Sequence, residues 1–438
     1  MKIYIETLGC PKNEADSRVL SGMFRDRSHE LTDDIEAADI AVINTCGFIL
    51  DAAQESIDTL VYFSTNLKKQ NSRLRVYGMG CLIQRYQEEL MKEIPEIDGW
   101  IGIDTLENTV DFILEREKKV LIPDIPNPTF FKMPERYYVN GDAHAYVKIG
   151  DGCNRACEFC SIPTFKGGHV SRSPEDIVKE CRQLVESGKK ELIIVDQDVT
   201  QYNANGVDLK QLIAKIDAIE GDYWIRLMYM HPDHIDDELF LSLKETRHVI
   251  PYFDIPVQHG SNTVLKNMGR IRTAEELKKR LNFIRELFPD AVLRTTIMLG
   301  FPGEGDEEFE KLKTFMQDVE FDKVGFFKFS MEEGTPISFR DVVIPDEDIV
   351  DERFEEINDI QREISVEKNE RLVGKELTLI VDGTEEDLLL CRSYREAPEI
   401  DSEIFIELNT DSEIPERGTT LKARIIAFAE YDLEAEII

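Results

Sequence analysis

Residues 145–160 read Ala-Tyr-Val-Lys-Ile-Gly-Asp-Gly-Cys-Asn-Arg-Ala-Cys-Glu-Phe-Cys, an apolar strand running straight into three cysteines. Cys153, Cys157 and Cys160 stand in a C-x-x-x-C-x-x-C spacing on one short loop. Three thiolates so placed can hold three irons of a [4Fe–4S] cube and leave the fourth iron open to a ligand. A zinc site completed by His169 or Cys181 is the competing reading, although structural zinc sites favour paired C-x-x-C knuckles and a closed fourth ligand. The strand is the first of six, at 145–149, 191–195, 224–228, 252–257, 292–299 and 323–329, with helices at 174–186, 274–287 and 307–319 between them. That alternation predicts a partial, TIM-like β/α barrel whose site lies at the C-terminal ends of its strands.

Upstream, strands at 3–8, 40–44, 74–78 and 100–103 alternate with helices at 14–24, 52–66 and 84–93, which predicts a doubly wound parallel sheet. Cys10, Cys46 and Cys81 each follow one of its strands, flanked by Gly9, Gly47 and Gly80. The C-terminal ends of parallel strands converge on one crevice, so these thiols are expected to hold a second cluster. Buried structural cysteines are the alternative. Cys181 and Cys391 have no partner in the pattern and read as structural. Pro123, Pro126, Pro128 and Pro134 mark a linker. Downstream, a charged helix at 352–372 leads to strands at 377–381, 388–391, 404–408 and 421–427, with a turn at Asp382-Gly383, the pattern of a small antiparallel barrel. The expected domains are 1–122, a linker at 123–140, the barrel at 141–345, a connecting helix at 346–370 and the small barrel at 371–438.

The 438 residues carry 52 Lys+Arg against 87 Asp+Glu, a net charge of −35. Such a field repels nucleic acid and attracts basic partners, although solubility in a salty or hot cytoplasm is the other reading of the charge. No apolar run approaches the roughly 18 residues of a membrane span, and no basic segment leads into an apolar one at the start. A cytoplasmic location is therefore expected, with thiols kept reduced.

The three-cysteine loop after the first strand of a partial barrel resembles the radical S-adenosylmethionine superfamily. The resemblance implies that S-adenosylmethionine chelates the open iron and is cleaved to a 5′-deoxyadenosyl radical, with Phe159 near the adenine. It implies cofactor contacts at Gln197 and Asp198, although the superfamily usually carries Gly-Gly-Glu at that strand end. It further implies contacts at Arg226 on the third strand, for which a barrel-filling salt bridge is the other reading, and at Gly300 and Gly303 after the fifth.

The whole chain resembles the methylthiotransferases: a three-cysteine N-terminal domain, a radical barrel and a TRAM-type β-barrel. Thr7-Leu8-Gly9-Cys10-Pro11-Lys12-Asn13, Asn44-Thr45-Cys46-Gly47-Phe48-Ile49, Cys160-Ser161-Ile162-Pro163, Phe165-Lys166-Gly167, Pro256-Val257-Gln258-His259-Gly260-Ser261 and the stretch 392–400 resemble the RimO-type branch. That branch places a methylthio group on the β-carbon of an aspartate in small-subunit ribosomal protein S-twelve. The resemblance implies two [4Fe–4S] clusters, S-adenosylmethionine as both methyl and radical source, and an electron donor such as flavodoxin or ferredoxin. Charge points the same way: residues 371–438 hold 7 Lys+Arg and 17 Asp+Glu, 7 − 17 = −10, which suits docking of a basic protein better than of RNA. The alternatives are a MiaB-type transfer-RNA adenosine methylthiotransferase and a non-enzymatic iron–sulfur sensor or ribosome-associated binding protein.

Overall fold

The computed structural model describes residues 1–115, 119–124, 142–408 and 414–438. The first third forms β1 (Lys2–Thr7), α1 (Pro11–Asp26), β2 (Glu30–Leu31), β3 (Ile40–Thr45), α2 (Leu50–Val61), β4 (Arg75–Gly80), α3 (Cys81–Arg85), α4 (Gln87–Glu93), β5 (Gly99–Ile101), α5 (Leu106–Glu115) and β6 (Val120–Leu121). All six residues of β3 are buried, as a central parallel strand covered on both faces requires. The strands pair in the order β2-β1-β3-β4-β5-β6, every pair parallel. The order reverses between β1 and β3, which opens a crevice at their C-terminal ends. The helix expected at 52–66 ends at Val61 and continues as a π-helical turn, Tyr62–Leu67. The one expected at 84–93 breaks at Tyr86. Most of the linker expected at 123–140 lies outside the described residues.

The second unit contains β7 (His144–Lys148), α6 (Ile162–Lys166), α7 (Pro174–Glu186), β8 (Glu191–Val195), α8 (Leu209–Asp217), β9 (Trp224–Leu227), α9 (Asp237–Lys244), β10 (Val249–Asp254), α10 (Asn262–Asn267), α11 (Ala274–Leu287), β11 (Val292–Leu299), α12 (Asp306–Val319) and β12 (Lys323–Lys328). The six strands lie side by side in chain order, all parallel, as an open partial barrel. The Ser173 side chain caps α7, with Pro174 at its first turn, and a Thr273–Glu276 capping box starts α11. β10 sits earlier than the expected 252–257, because Ile255 and Val257 are buried in the loop beyond the strand rather than in the sheet. The connecting helix α13 (Glu347–Glu370) begins where the Asp346 side chain caps it.

The chain ends in β13 (Glu376–Glu385), β14 (Leu388–Arg392), β15 (Ile404–Glu407), β16 (Thr420–Phe428) and β17 (Leu433–Ile437), a closed barrel ordered β13-β14-β15-β17-β16. One pairing departs from the antiparallel expectation: β15 and β17 run parallel, with Ile404 opposite Leu433. Asp382-Gly383 is not a turn but an irregularity within β13, and the hairpin turns at Glu386, whose φ is +51°. Between β14 and β15 the chain plugs the floor of the large barrel. Ala397 packs among Tyr146, Ile193, Tyr252 and Val292, and Tyr252 donates to Asp401 Oδ2 at 2.6 Å.

Candidate active site

The register of the N-terminal sheet brings its three thiols together. Thr45 pairs with Gly80, so Cys46 and Cys81 leave adjacent strands at one level, and Leu8 N–H donates to Asn44 O at 2.9 Å to bring the Cys10 loop beside them. Asn13 Nδ2 donates to Leu8 O at 2.8 Å and Thr45 O at 3.1 Å, tying the first two loops. Ser56 Oγ accepts from Cys46 N at 3.0 Å. The glycines are sterically required: a Cβ on Gly9 (φ +88°) would lie 2.8 Å from Cys46 Sγ, and one on Gly80 (φ +109°) 2.6 Å from Thr45 O.

The barrel thiols stand above the C-terminal end of β7. Cys153 N–H donates to Gly167 O at 3.1 Å, and Gln201 Nε2 donates to Cys153 Sγ at 3.2 Å. Cys157 Sγ lies 3.6 Å from His231 Nε2. Burial, reinforced by Arg270, holds His231 neutral, far below its ordinary pKa. Burial is also the leading cause that raises the thiols of Cys46, Cys153 and Cys157 and pushes Cys81 and Cys160 up to about 12. A metal must displace these protons, so loading is coupled to pH.

The donor sets fit two iron–sulfur clusters. Thiolates that bind different irons of one cube need not converge on a point. Among the described residues no three His, Cys, Asp or Glu side chains surround a single-ion site. The zinc reading loses its fourth ligand, because His169 Nε2 is 2.8 Å from Asp196 Oδ2 and Cys181 lies in the apolar core of the barrel.

The loops that carry the two thiol sets lie in contact. Cys81 packs with Phe165 of α6, just beyond Cys160, and Lys12 places Nζ 3.9 Å from the centroid of the Tyr229 ring after β9. Buried ion pairs lock the join. Asp151 Oδ2 accepts from Lys148 Nζ at 2.9 Å and Lys166 Nζ at 3.0 Å, while Lys148 Nζ also reaches Asp16 Oδ1 on α1 at 2.7 Å.

The residues expected to touch S-adenosylmethionine divide. Gln197 ends β8 with both side-chain amide atoms sheltered and without a protein partner, as are Ser161 Oγ, Gln258 Oε1 and Ser261 Oγ on neighbouring loops. Such orphaned groups fit a polar ligand. Phe159 packs edge-on against Phe301, with centroids 6.2 Å apart. Gly300 (φ +76°) and Gly303 (φ +96°) shape the adjoining turn, where a Cβ would strike Val350 or Asn267. Asp198 is occupied by structure: its Oδ2 accepts from Arg155 Nε at 2.7 Å and its Oδ1 from Thr200 N at 2.9 Å. Arg226 is a correction. Fully buried, it bonds Glu191 Oε1 at 2.6 Å, Tyr394 O at 3.1 Å and Glu396 O at 2.8 Å, and lies over the Tyr252 ring. It fastens the floor plug, away from the crevice. His231, Gln201, Arg155 and Tyr229 were not singled out from sequence; the only signal was their place just after a barrel strand or inside the cysteine loop.

Known proteins share this layout. The Radical SAM superfamily matches residues 147–316, uncharacterized protein family UPF0004 residues 2–102 and the TRAM domain residues 373–438. "Ribosomal protein uS12 methylthiotransferase RimO" of Thermotoga maritima is 45% identical over 444 residues, covering 100% of both chains. The protein of the same name from Thermosipho africanus is 44% identical over 447 residues, again covering 100% of both. Among solved structures, the radical S-adenosylmethionine methyltransferase TsrM of Kitasatospora setae superposes with a TM-score of 0.59 at 13% identity, covering 77% of this chain and 73% of that one. The cobalamin-dependent radical enzyme OxsB gives 0.51 at 14%, covering 82% and 56%. At such identities these two show a shared fold alone.

Proposed function

The chain belongs to the family of ribosomal protein uS12 methylthiotransferases, the RimO family, and on that premise we propose that it adds a methylthio group to the β-carbon of an aspartate in that ribosomal protein. Cys10, Cys46 and Cys81 would hold one [4Fe–4S] cluster and Cys153, Cys157 and Cys160 the other, at which S-adenosylmethionine would bind. When bound, these groups supply the one-electron chemistry that removes a hydrogen no side-chain base can readily abstract. The protein's part is placement. Gln197, Gln258 and Ser161 offer unspent polar atoms to the cofactor, and the Phe159–Phe301 pair provides an aromatic wall. What supports this reading is that the loops carrying the two thiol sets meet, through the Cys81–Phe165 and Lys12–Tyr229 contacts.

The reading includes a basic protein partner met by acidic surface, a low-potential donor of the flavodoxin or ferredoxin class, and a cytoplasmic location. No helix among the described residues is long and apolar enough to cross a membrane. Not every carboxylate of the acidic small barrel is available for that docking. There Glu396 is spent on Ser393 Oγ at 2.6 Å, and nearby Asp401 on Tyr252. Exposed carboxylates elsewhere on the small barrel, at Glu385, Glu386, Asp387, Glu434 and Glu436, are the better candidates.

The test incubates anaerobically reconstituted protein with S-adenosylmethionine, reductant and either the purified ribosomal protein or transfer RNA, followed by mass spectrometry. A methylthio group on one aspartate is the expected product. A modified transfer RNA with an untouched ribosomal protein would replace this reading by the MiaB-type one.

A further inference from the structure

Lys12 is a cation without a carboxylate partner among the described residues, the charge that acts on it first being that of the Cys10 thiol. The structure gives it the Tyr229 ring. The other lysines of this region are matched: Lys148 and Lys166 both hold Asp151, at 2.9 and 3.0 Å. Asp196, the carboxylate whose charge acts on Lys12 from the barrel side, is already engaged by His169 Nε2 at 2.8 Å and by Gln197 N–H at 2.7 Å. Burying an ammonium is costly, and the cation–π contact and the charge of the Cys10 thiol offset that cost without a direct ion pair. The platform beneath it is itself constrained. Tyr229 holds φ +62°, a left-handed backbone that strains a non-glycine residue, and its N–H is tied to Asp254 Oδ2 at 3.0 Å. A strained platform and an ammonium with no carboxylate partner thus meet where the Cys10 loop touches the barrel.

We propose that Lys12 is the carboxylate-binding residue of the crevice and takes the side-chain carboxylate of the substrate aspartate. This rests on the function proposed above. The β-carbon of aspartate is bonded directly to its carboxylate carbon. Gripping that group from the Cys10 loop therefore holds the β-carbon between the loop and the barrel, the place a transfer from one side to the other requires. A lysine delivers this as a point charge on a flexible stem, which tolerates approach of the target from outside.

S-adenosylmethionine also carries a carboxylate, so the test has two arms. The full chain, loaded with both clusters, is compared with Lys12→Met and Lys12→Arg. Affinity is measured by calorimetry for S-adenosylmethionine, for the ribosomal protein, and for the same protein with its target aspartate replaced by asparagine. Lys12→Met should weaken binding of the aspartate form by about ten- to a hundred-fold, as loss of a charged hydrogen bond does. It should leave the asparagine form within about two-fold, with Lys12→Arg recovering most of the loss and iron content unchanged. Equal losses for both forms, or no loss, overturn the proposal. A loss confined to S-adenosylmethionine also overturns it and gives Lys12 to the cofactor. A wild-type protein that binds the ribosomal protein without modifying it rejects the proposed function instead, while the aspartate–asparagine difference still decides the role of Lys12.

Discussion

Replacing Asp151 by asparagine tests whether the buried ion cluster beneath the barrel thiols holds that loop in place. Asp151 is 3% exposed, Lys148 and Lys166 5% each. Burial alone would raise the Asp151 carboxyl, but the two ammoniums overcome that and hold it far below the carboxylate range. In Asp151→Asn, Lys148 keeps Asp16 at 2.7 Å. Lys166 has no other ion-pair partner among the described residues, so one buried cation is stranded. Breaking a buried pair from one side costs about 3–5 kcal/mol. Asparagine can still accept from Gly152 N–H, so about 3 kcal/mol is expected. The sign with pH follows from the depressed pKa. Stability owed to Asp151 is complete above its unfolded value and is lost as pH falls through the folded one, so the gap between wild type and variant should be flat from about pH 5 to 8 and narrow below about pH 4. Urea unfolding followed by Trp224 fluorescence, in a Trp100→Phe background, reports on the barrel. Adding Lys166→Met to the variant should recover much of the loss, because it removes the stranded charge. A single variant within 1 kcal/mol of wild type, or a double variant less stable than the single, would refute the reasoning.

Two further outcomes follow from the thiol geometry. Reconstituted protein should hold about eight irons and eight sulfides, with the triple Ala variant at Cys153, Cys157 and Cys160 losing half of them and all 5′-deoxyadenosine formation. Gly80→Ala forces a Cβ to 2.6 Å from Thr45 O at φ +109°, so it should lower iron content toward four by emptying the N-terminal site; full iron in that variant would show that the loop can shift.

Much of this architecture is local and therefore legible. The helices expected at 174–186 and 274–287 span those same residues, and the local reason is visible in the structure, where Ser173 and the Thr273–Glu276 capping box start them. The cysteines are legible for a different reason: a ligand set on one loop needs only spacing, and the other needs only the rule that parallel strands end together. What depends on distant partners is not legible. Arg226 lies on the expected strand, but its height in the barrel is set by Glu191 across the sheet and by carbonyls about 170 residues onward. The stretch at 392–400, with two arginines and two glutamates, gives no hint of burial, because charge is visible in sequence and burial is not. Arg392 in fact pairs with Glu191 inside the barrel floor. β17, a five-residue alternating strand with one parallel neighbour, gives no hairpin signal at all.

The joints between units share one feature that bears on how such a site must work. Lys148–Asp16 and Arg18–Asp142 fasten the N-terminal sheet to the barrel, Arg85–Glu332 ties the Cys81 helix to the loop after β12, and Glu191 binds Arg226 and Arg392 at the floor. Buried ion pairs are an inefficient source of stability, since desolvation consumes most of the Coulomb gain. Apolar contacts would hold these surfaces at least as firmly. Apolar surfaces slide past one another at small cost, however, whereas a paired buried charge displaced by an ångström loses its partner and keeps its desolvation penalty. Joints made this way define register. Thiol sets on separate folding units, whose loops meet at Lys12 and Tyr229, need register more than they need adhesion, because reacting groups misplaced by about 1 Å can lose much of their rate. The charged joints and the strained Tyr229 are thus parts of the same device: each gives up some stability to fix where the two halves of the site meet.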